Sequence, residues 1–242
     1  MHYWEKFVQQ SMCRKMLHVY GGPQGNGYEY RGPETVEYKE TLHISLPYQV
    51  PAGATGLDQA LIGMAKELIL ALKPVVQLVG CVMSKASGIP DLDALLLARP
   101  EDWVLRMINY PADPREIRAE EHPDKGVTIH IAATAEGLQI FWNGKWVDVA
   151  EAVNAAYGYM GLLGQYQTQC ILKALLHRVR SCTATQTVGR RVLVLFVDAS
   201  EVRYNKDAYG RAQSRFPDDA HYRMSFDEFS KLFIPKQQLV LT

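Results

Sequence analysis

The sequence predicts a mainly β protein with flanking helices, built on a double-stranded β-helix, or jelly-roll, core. Three observations carry that prediction. Helical periodicity comes first, before Pro100, short β-branched and aromatic runs follow at close and even spacing up to Asp198, and turn residues divide each run from the next.

Residues 21–56 are rich in Gly, Pro and Tyr and read as loops with one or two strands, the clearest being the extended run 37–46. Asp58 stands where it can cap a helix, because Leu61, Ile62, Met64, Ala65, Ile69 and Leu72 recur behind it at three- and four-residue spacing. Lys73-Pro74 kinks or ends that helix, since proline lacks the N–H and crowds the preceding turn; a second helix follows over 75–87. Beyond Pro100, the segments 103–110, 127–132, 138–142, 145–149, 157–163 and 190–198 have strand character. Asn143-Gly144, between Phe141-Trp142 and Lys145-Trp146, is a two-residue hairpin turn, as both residues tolerate the positive φ of a type I′ turn. Phe226-Asp-Glu-Phe229 belongs to an expected terminal helix laid over the barrel. The chain reads as one domain, 1–242, with N-terminal loops and helices over 1–100, a jelly-roll core over 101–200 and a C-terminal helical cover over 201–242.

With 242 residues, 48% hydrophobic and 21% charged, the chain can bury a substantial core. Lys plus Arg equals Asp plus Glu at 26 each, so no global field draws nucleic acid or an anionic membrane, and a small-molecule partner is expected. Cys13, Cys81, Cys170 and Cys182 form no Cys-x-x-Cys pair, which argues against a zinc knuckle or a redox dithiol. They read as reduced, mostly buried thiols of a cytoplasmic protein. The opening Met-His-Tyr-Trp-Glu-Lys lacks the basic-then-apolar order of a signal peptide. The most apolar long stretch, 57–83, carries Asp58, Lys66, Glu67, Lys73 and Pro74, which argues against a membrane span.

The chemistry lies in His122 and Asp124, two residues apart in Glu-His-Pro-Asp-Lys-Gly, with His177 53 positions after Asp124. Two neutral imidazoles and one carboxylate occupy one triangular face of an octahedron and leave the other face open to exogenous ligands, a donor set suited to non-haem Fe(II). On a strand, residues i and i+2 point the same way, so His122 and Asp124 can serve one ion while Pro123 faces away. A lone His-x-Asp also arises by chance as a surface His beside an Asp turn, so the surrounding pattern decides.

That pattern is extended. Arg106-Met-Ile-Asn-Tyr110-Pro111, His122-Pro-Asp124-Lys-Gly126-Val-Thr128, Gly137-Leu-Gln-Ile140 with Lys145-Trp-Val-Asp-Val149, and Gly161, Gln165, Thr168, Lys173, Ala174 and His177-Arg-Val179 follow one another in order. Together they resemble the Fe(II)/2-oxoglutarate-dependent oxygenases of the isopenicillin N synthase-like family. Weaker similarity reaches back through Tyr38-Lys-Glu40 to Gly27-Tyr28. The resemblance implies His122, Asp124 and His177 as the iron ligands, and Arg191 as the cation that pairs with the distal carboxylate of 2-oxoglutarate. It also places Tyr110 beside the cosubstrate. The activity implied is hydroxylation or desaturation of a small molecule with O2, releasing succinate and CO2.

The sequence departs from that family where Arg-x-Ser is usual, reading Arg191-Val192-Leu193. Losing one neutral hydrogen bond, about 0.5 to 1.5 kcal/mol, weakens cosubstrate binding without abolishing it. An iron oxidase that uses no 2-oxoglutarate therefore stays open, as does a non-catalytic binding protein on the same fold. Arg190 is the alternative cation if the register slips by one, although on a strand it faces the opposite side. Leu162 replaces the family's Asp, Gln169-Cys170 its Asn-Gly, and the family's N-terminal strand and helix have no counterpart before Trp4, so the pocket is expected to be more open or completed by another chain. His130 shares a strand face with Thr128 and is either a substrate contact or a hydrogen-bonded core histidine. His2, His18, His43 and His221 read as surface or interface residues. Arg203, Tyr204, Arg211, Arg215 and Arg223 form a locally basic, solvated face that is able to recognise an acidic substrate.

Overall fold

The computed structural model describes residues 1–21, 25–150, 156–168, 170–197 and 228. The expected cover over 201–242, with its basic residues and His221, lies outside the described residues except for Glu228, as does Gln169.

Among the described residues the chain opens with two short helices, α1 (His2–Val8) and α2 (Met12–Lys15), and two strands, β1 (Gly27–Arg31) and β2 (Lys39–Ile44). Helices α3 (Gly56–Ala71), α4 (Lys73–Ser87) and α5 (Leu92–Leu97) follow. Then come β3 (Val104–Tyr110), β4 (Ile117–His122), β5 (Val127–Ala133), β6 (Leu138–Trp142), β7 (Lys145–Asp148) and β8 (Tyr157–Met160). Helix α6 (Leu162–Gln167), β9 (His177–Arg180), α7 (Thr183–Val188) and β10 (Arg190–Val197) complete the order.

The strands form two antiparallel sheets, one in the order β1-β2-β3-β10-β5-β8 and the other β4-β9-β6-β7. This is the expected jelly roll. Two strands of the larger sheet come from before residue 100, so the core reaches outside the segment 101–200 assigned to it. The expected strand over 157–163 stops at Met160 and turns into α6, while β4 and β9 replace stretches that carried no clear strand pattern.

Thr55, not Asp58, is the N-cap of α3. Its hydroxyl accepts the Asp58 N–H, and the Asp58 carboxylate takes the Thr55 N–H at 2.7 Å, a reciprocal capping box with Asp58 at the third helical position. The helix stops at Leu72 and α4 begins with Pro74 in its first turn, where the missing N–H costs nothing. By length and composition Gly56–Ser87 is apolar enough to cross a bilayer. In the fold Leu61, Ile62, Ala65, Ile69, Val76 and Met83 belong to the core, while Leu70, Leu78 and Val82 are exposed.

Strand β10 is buried on both faces. Leu193, Leu195 and Val197 join the core formed with the helices, while Val192 and Val194 pack with Ile108, Tyr110, Ala119 and Val179 in a second, smaller core. Each such side chain contributes roughly 1.5 to 3 kcal/mol. A buried ion pair seats α2 on the sheet: Lys15 Nζ meets Glu40 Oε2 at 2.6 Å, and Glu40 also accepts from the Tyr28 hydroxyl at 2.7 Å and Asn109 Nδ2 at 2.9 Å.

Two further expectations are corrected. Cys13, Cys81 and Cys182 are exposed and Cys170 is half-buried, all as free thiols, because the helical and turn positions they occupy face outward. His18 and His43 are buried. His18 is enclosed by Phe7 and Tyr48, and His43 lies on β2 between Gly27 of β1 and Arg106 of β3.

Candidate metal centre

His122 is the last residue of β4 and His177 the first of β9, and antiparallel pairing sets them directly opposite each other, with ring centroids 4.6 Å apart. Asp124 lies two residues beyond the strand end, in the turn before β5, so the His-x-Asp pair is split between strand and turn and does not share one strand face. The turn brings the carboxylate back. Asp124 Oδ1 is 3.7 Å from His122 Nε2, Oδ2 is 3.6 Å from His177 Nε2, and donor atoms of all three residues fall within 4.8 Å of one another.

The surroundings fix these donors. His122 Nδ1 lies 2.7 Å from the Glu120 carbonyl and His177 Nδ1 lies 3.2 Å from that of Leu175. A carbonyl only accepts, so each Nδ1 carries the proton and each Nε2 keeps its lone pair toward the carboxylate. The Thr128 hydroxyl donates to Asp124 Oδ2 at 2.6 Å. Burial lowers the pKa of His177, against the opposing pull of the Asp124 charge, and so favours the neutral ligand form. Burial, reinforced by Asp124, holds the Tyr159 hydroxyl well above the usual phenol range, so it stays protonated beside His177, ring to ring at 5.2 Å. Gly161 keeps the Asp124 turn against α6: a Cβ there would come within 2.3 Å of the Asp124 carbonyl, which itself accepts the Leu162 N–H at 2.8 Å.

The triad opens into a cavity of about 70 Å³ between the two sheets. Tyr110 and His130, both named from the sequence, line it. Arg191 does not. Its guanidinium points to the other side of β10 and pairs with Glu5 Oε1 at 3.1 Å. Arg190 lines the cavity instead, with Val192, Val194 and Phe196 following at alternate positions, and donates Nε to the Ala135 carbonyl at 2.9 Å. The residue two after the inward arginine is therefore Val192; Leu193 belongs to the opposite core. Arg106 and Tyr159 also line the cavity and were missed, although counting by twos from Tyr110 toward the start of β3 reaches Ile108 and Arg106.

No protein-family model matches the sequence, and no curated protein does. Solved structures do. A full-length Neurospora crassa protein in complex with alpha-KG and thymine is similar at 17% identity over 96% of this chain and 82% of that one, with a TM-score of 0.70. The rice dioxygenase for auxin oxidation gives 16% identity, 98% and 79% coverage and a TM-score of 0.69. Its Arabidopsis thaliana counterpart, in a 2-oxoglutarate complex, gives 16%, 81% and 75%, and 0.62. The double-stranded β-helix described here, with helices on one side of its larger sheet, is the fold of the 2-oxoglutarate and Fe(II)-dependent oxygenases.

Proposed function

We propose that the chain is an Fe(II)- and 2-oxoglutarate-dependent oxygenase that hydroxylates or desaturates a small molecule, consuming O2 and releasing succinate and CO2. The observation that carries this reading is the convergence of two imidazole Nε2 atoms and one carboxylate on a cavity that also holds a buried arginine. His122, Asp124 and His177 hold the metal. Bound Fe(II) supplies the O2 chemistry and the decarboxylation of the keto acid.

The chain's own residues bind and orient. Thr128 fixes the Asp124 carboxylate, and the Glu120 and Leu175 carbonyls fix the two imidazoles. Arg190, in place of Arg191, takes the distal carboxylate of 2-oxoglutarate, for which a planar and permanently charged fork is the best donor. Tyr110 pairs with Arg190 across the ladder and lies beside that carboxylate. Ile108, Val192 and Val194 keep the space between apolar, which excludes water. His130 is a substrate contact on the same wall. Four free thiols fit a reducing, cytoplasmic location.

The test is anaerobic titration of the Fe(II) protein with 2-oxoglutarate. A metal-to-ligand charge-transfer band in the visible, and iron-dependent succinate formation in air, are expected. Val192 supplies no hydroxyl to the cosubstrate carboxylate, which favours one rival, an iron oxidase that uses no 2-oxoglutarate. Metal binding with no spectral response to the keto acid would select that rival.

A further inference from the structure

Among the described residues sixteen line the cavity, and Asp124 is the sole acid of these, against three permanent cations: Lys39, Arg106 and Arg190. Two are already engaged. Lys39 Nζ is held by Glu37 at 2.5 Å, and Arg190 is the group assigned above to the cosubstrate. Arg106 is different. Its Nε is buried without a hydrogen-bond partner, its guanidinium lies 4.3 Å over the Phe196 ring, and no ion pair reaches it among the described residues.

Among the described residues, none beside it supplies a counter-charge. On the β2 side it faces His43, and the nearest acid beyond, Glu29, is shared between that imidazole at 3.5 Å and Arg31 at 2.9 Å. On the other side it shares one rung with Val194 and His130. A partly desolvated guanidinium stacked on an aromatic ring is most stable when an anion completes its hydrogen bonds.

Its place along the sheet separates it from Arg190. Arg190 lies on the Tyr110 rung, four residues from Arg106 along β3, or roughly 13 Å. The rung of Phe196 and Thr128, from which the Asp124 carboxylate hangs, lies two residues beyond that of Arg106, on the side away from Arg190, so Arg106 stands nearer the metal ligands than Arg190 does. We infer that Arg106 docks a carboxylate of the primary substrate, so that the molecule oxidised is a small organic acid anchored on the opposite part of the cavity wall from Arg190. This rests on the function proposed above.

The experiment is calorimetric titration of protein saturated with manganese(II) and 2-oxoglutarate under nitrogen. The probes are a panel of monocarboxylates from acetate to phenylacetate, each beside its neutral carboxamide and its matching phosphate monoester. At least one carboxylate should bind tenfold or more above its amide. That preference should vanish in Arg106→Met and be partly kept in Arg106→Lys, with 2-oxoglutarate affinity unchanged in both.

The inference is overturned if no carboxylate binds above its amide, if the phosphate esters alone do, or if Arg106→Met loosens 2-oxoglutarate as much as the probe. Carboxylate binding that needs Arg106, in a protein that gives no response to 2-oxoglutarate, would remove the proposed cosubstrate and leave the acid site standing.

Discussion

Thr128 donates its hydroxyl to Asp124 Oδ2 at 2.6 Å, and both side chains are buried. The bond leaves Oδ1 as the less encumbered oxygen and sets the tilt of the carboxylate toward the two imidazoles. Thr128→Val keeps the shape and removes the donor. Metal affinity should fall about 10- to 100-fold, measured by manganese(II) titration, with thermal melting of the metal-free protein changed far less. Equal affinity in the two proteins would show that the hydroxyl plays no part in orienting the ligand.

Arg190→Met and Arg191→Met separate the two neighbouring cations. Loss of a charge-assisted, bidentate contact should loosen 2-oxoglutarate at least tenfold in the first variant. The second breaks a partly exposed pair with Glu5, worth about 0 to 1 kcal/mol, and should leave cosubstrate affinity within about twofold. The reverse order of effects would restore the register with Arg191 inside.

His177→Ala removes one of the two imidazoles and leaves the other two donors in place. Succinate formation that depends on added iron should disappear, and a chelator should abolish it equally in the unmodified chain. Turnover that survives both treatments would exclude an iron site at this position.

Stability should fall as the solution is acidified from pH 6.5 toward pH 4. Burial, aided by the Arg106 charge and opposed by Glu29, lowers the His43 pKa to about 4. Between that value and 6.5 the unfolded chain takes up a proton that the folded one refuses, so the contribution of His43 is full above pH 6.5 and is lost progressively below it, by about 3 kcal/mol in all. Glu29 acts in a lower window. Burial raises its pKa, but His43 and Arg31 outweigh that and hold it at about 2, so its contribution is lost only below the ordinary carboxylate range. Thermal melting of His43→Gln should lose the upper slope and weaken the lower one, because Glu29 then keeps Arg31 but not His43.

Lys15→Met should destabilise the fold by about 3 to 5 kcal/mol, because it strands the Glu40 carboxylate in a buried site with only its two neutral donors. Urea unfolding measures it. The double variant Lys15→Met with Glu40→Gln should recover part of the loss, since it removes the charge as well as its partner.

The sequence was easiest to read where one local signal dominated. Asn143 and Gly144 do adopt positive φ, and β6 and β7 pair around them with Trp142 opposite Lys145. The triad was legible because its two halves sit in a long ordered pattern. The inward arginine was not. A strand with one wet face marks its register by alternating polarity, but Val192, Leu193, Val194 and Leu195 are buried on both sides of β10, so nothing local tells Arg190 from Arg191. His18 and His43 escaped for a related reason, since their burial is made by separate elements, Phe7 and Tyr48 around His18 and β1 and β3 on either side of His43. Arg106 was visible as a motif residue, but its lack of a partner is a property of the assembled wall.

Strand β10, in the middle of the larger sheet, is the last of the described strands that the ribosome makes. Until residues 190–197 emerge, β1-β2-β3 and β5-β8 are separate pieces, each with an open edge waiting for β10. Only then can Arg191 also reach back 186 positions to Glu5. Closure thus waits until nearly the whole described chain has been synthesised, and a nascent polypeptide stalled earlier presents two sticky borders to chaperones or to its neighbours.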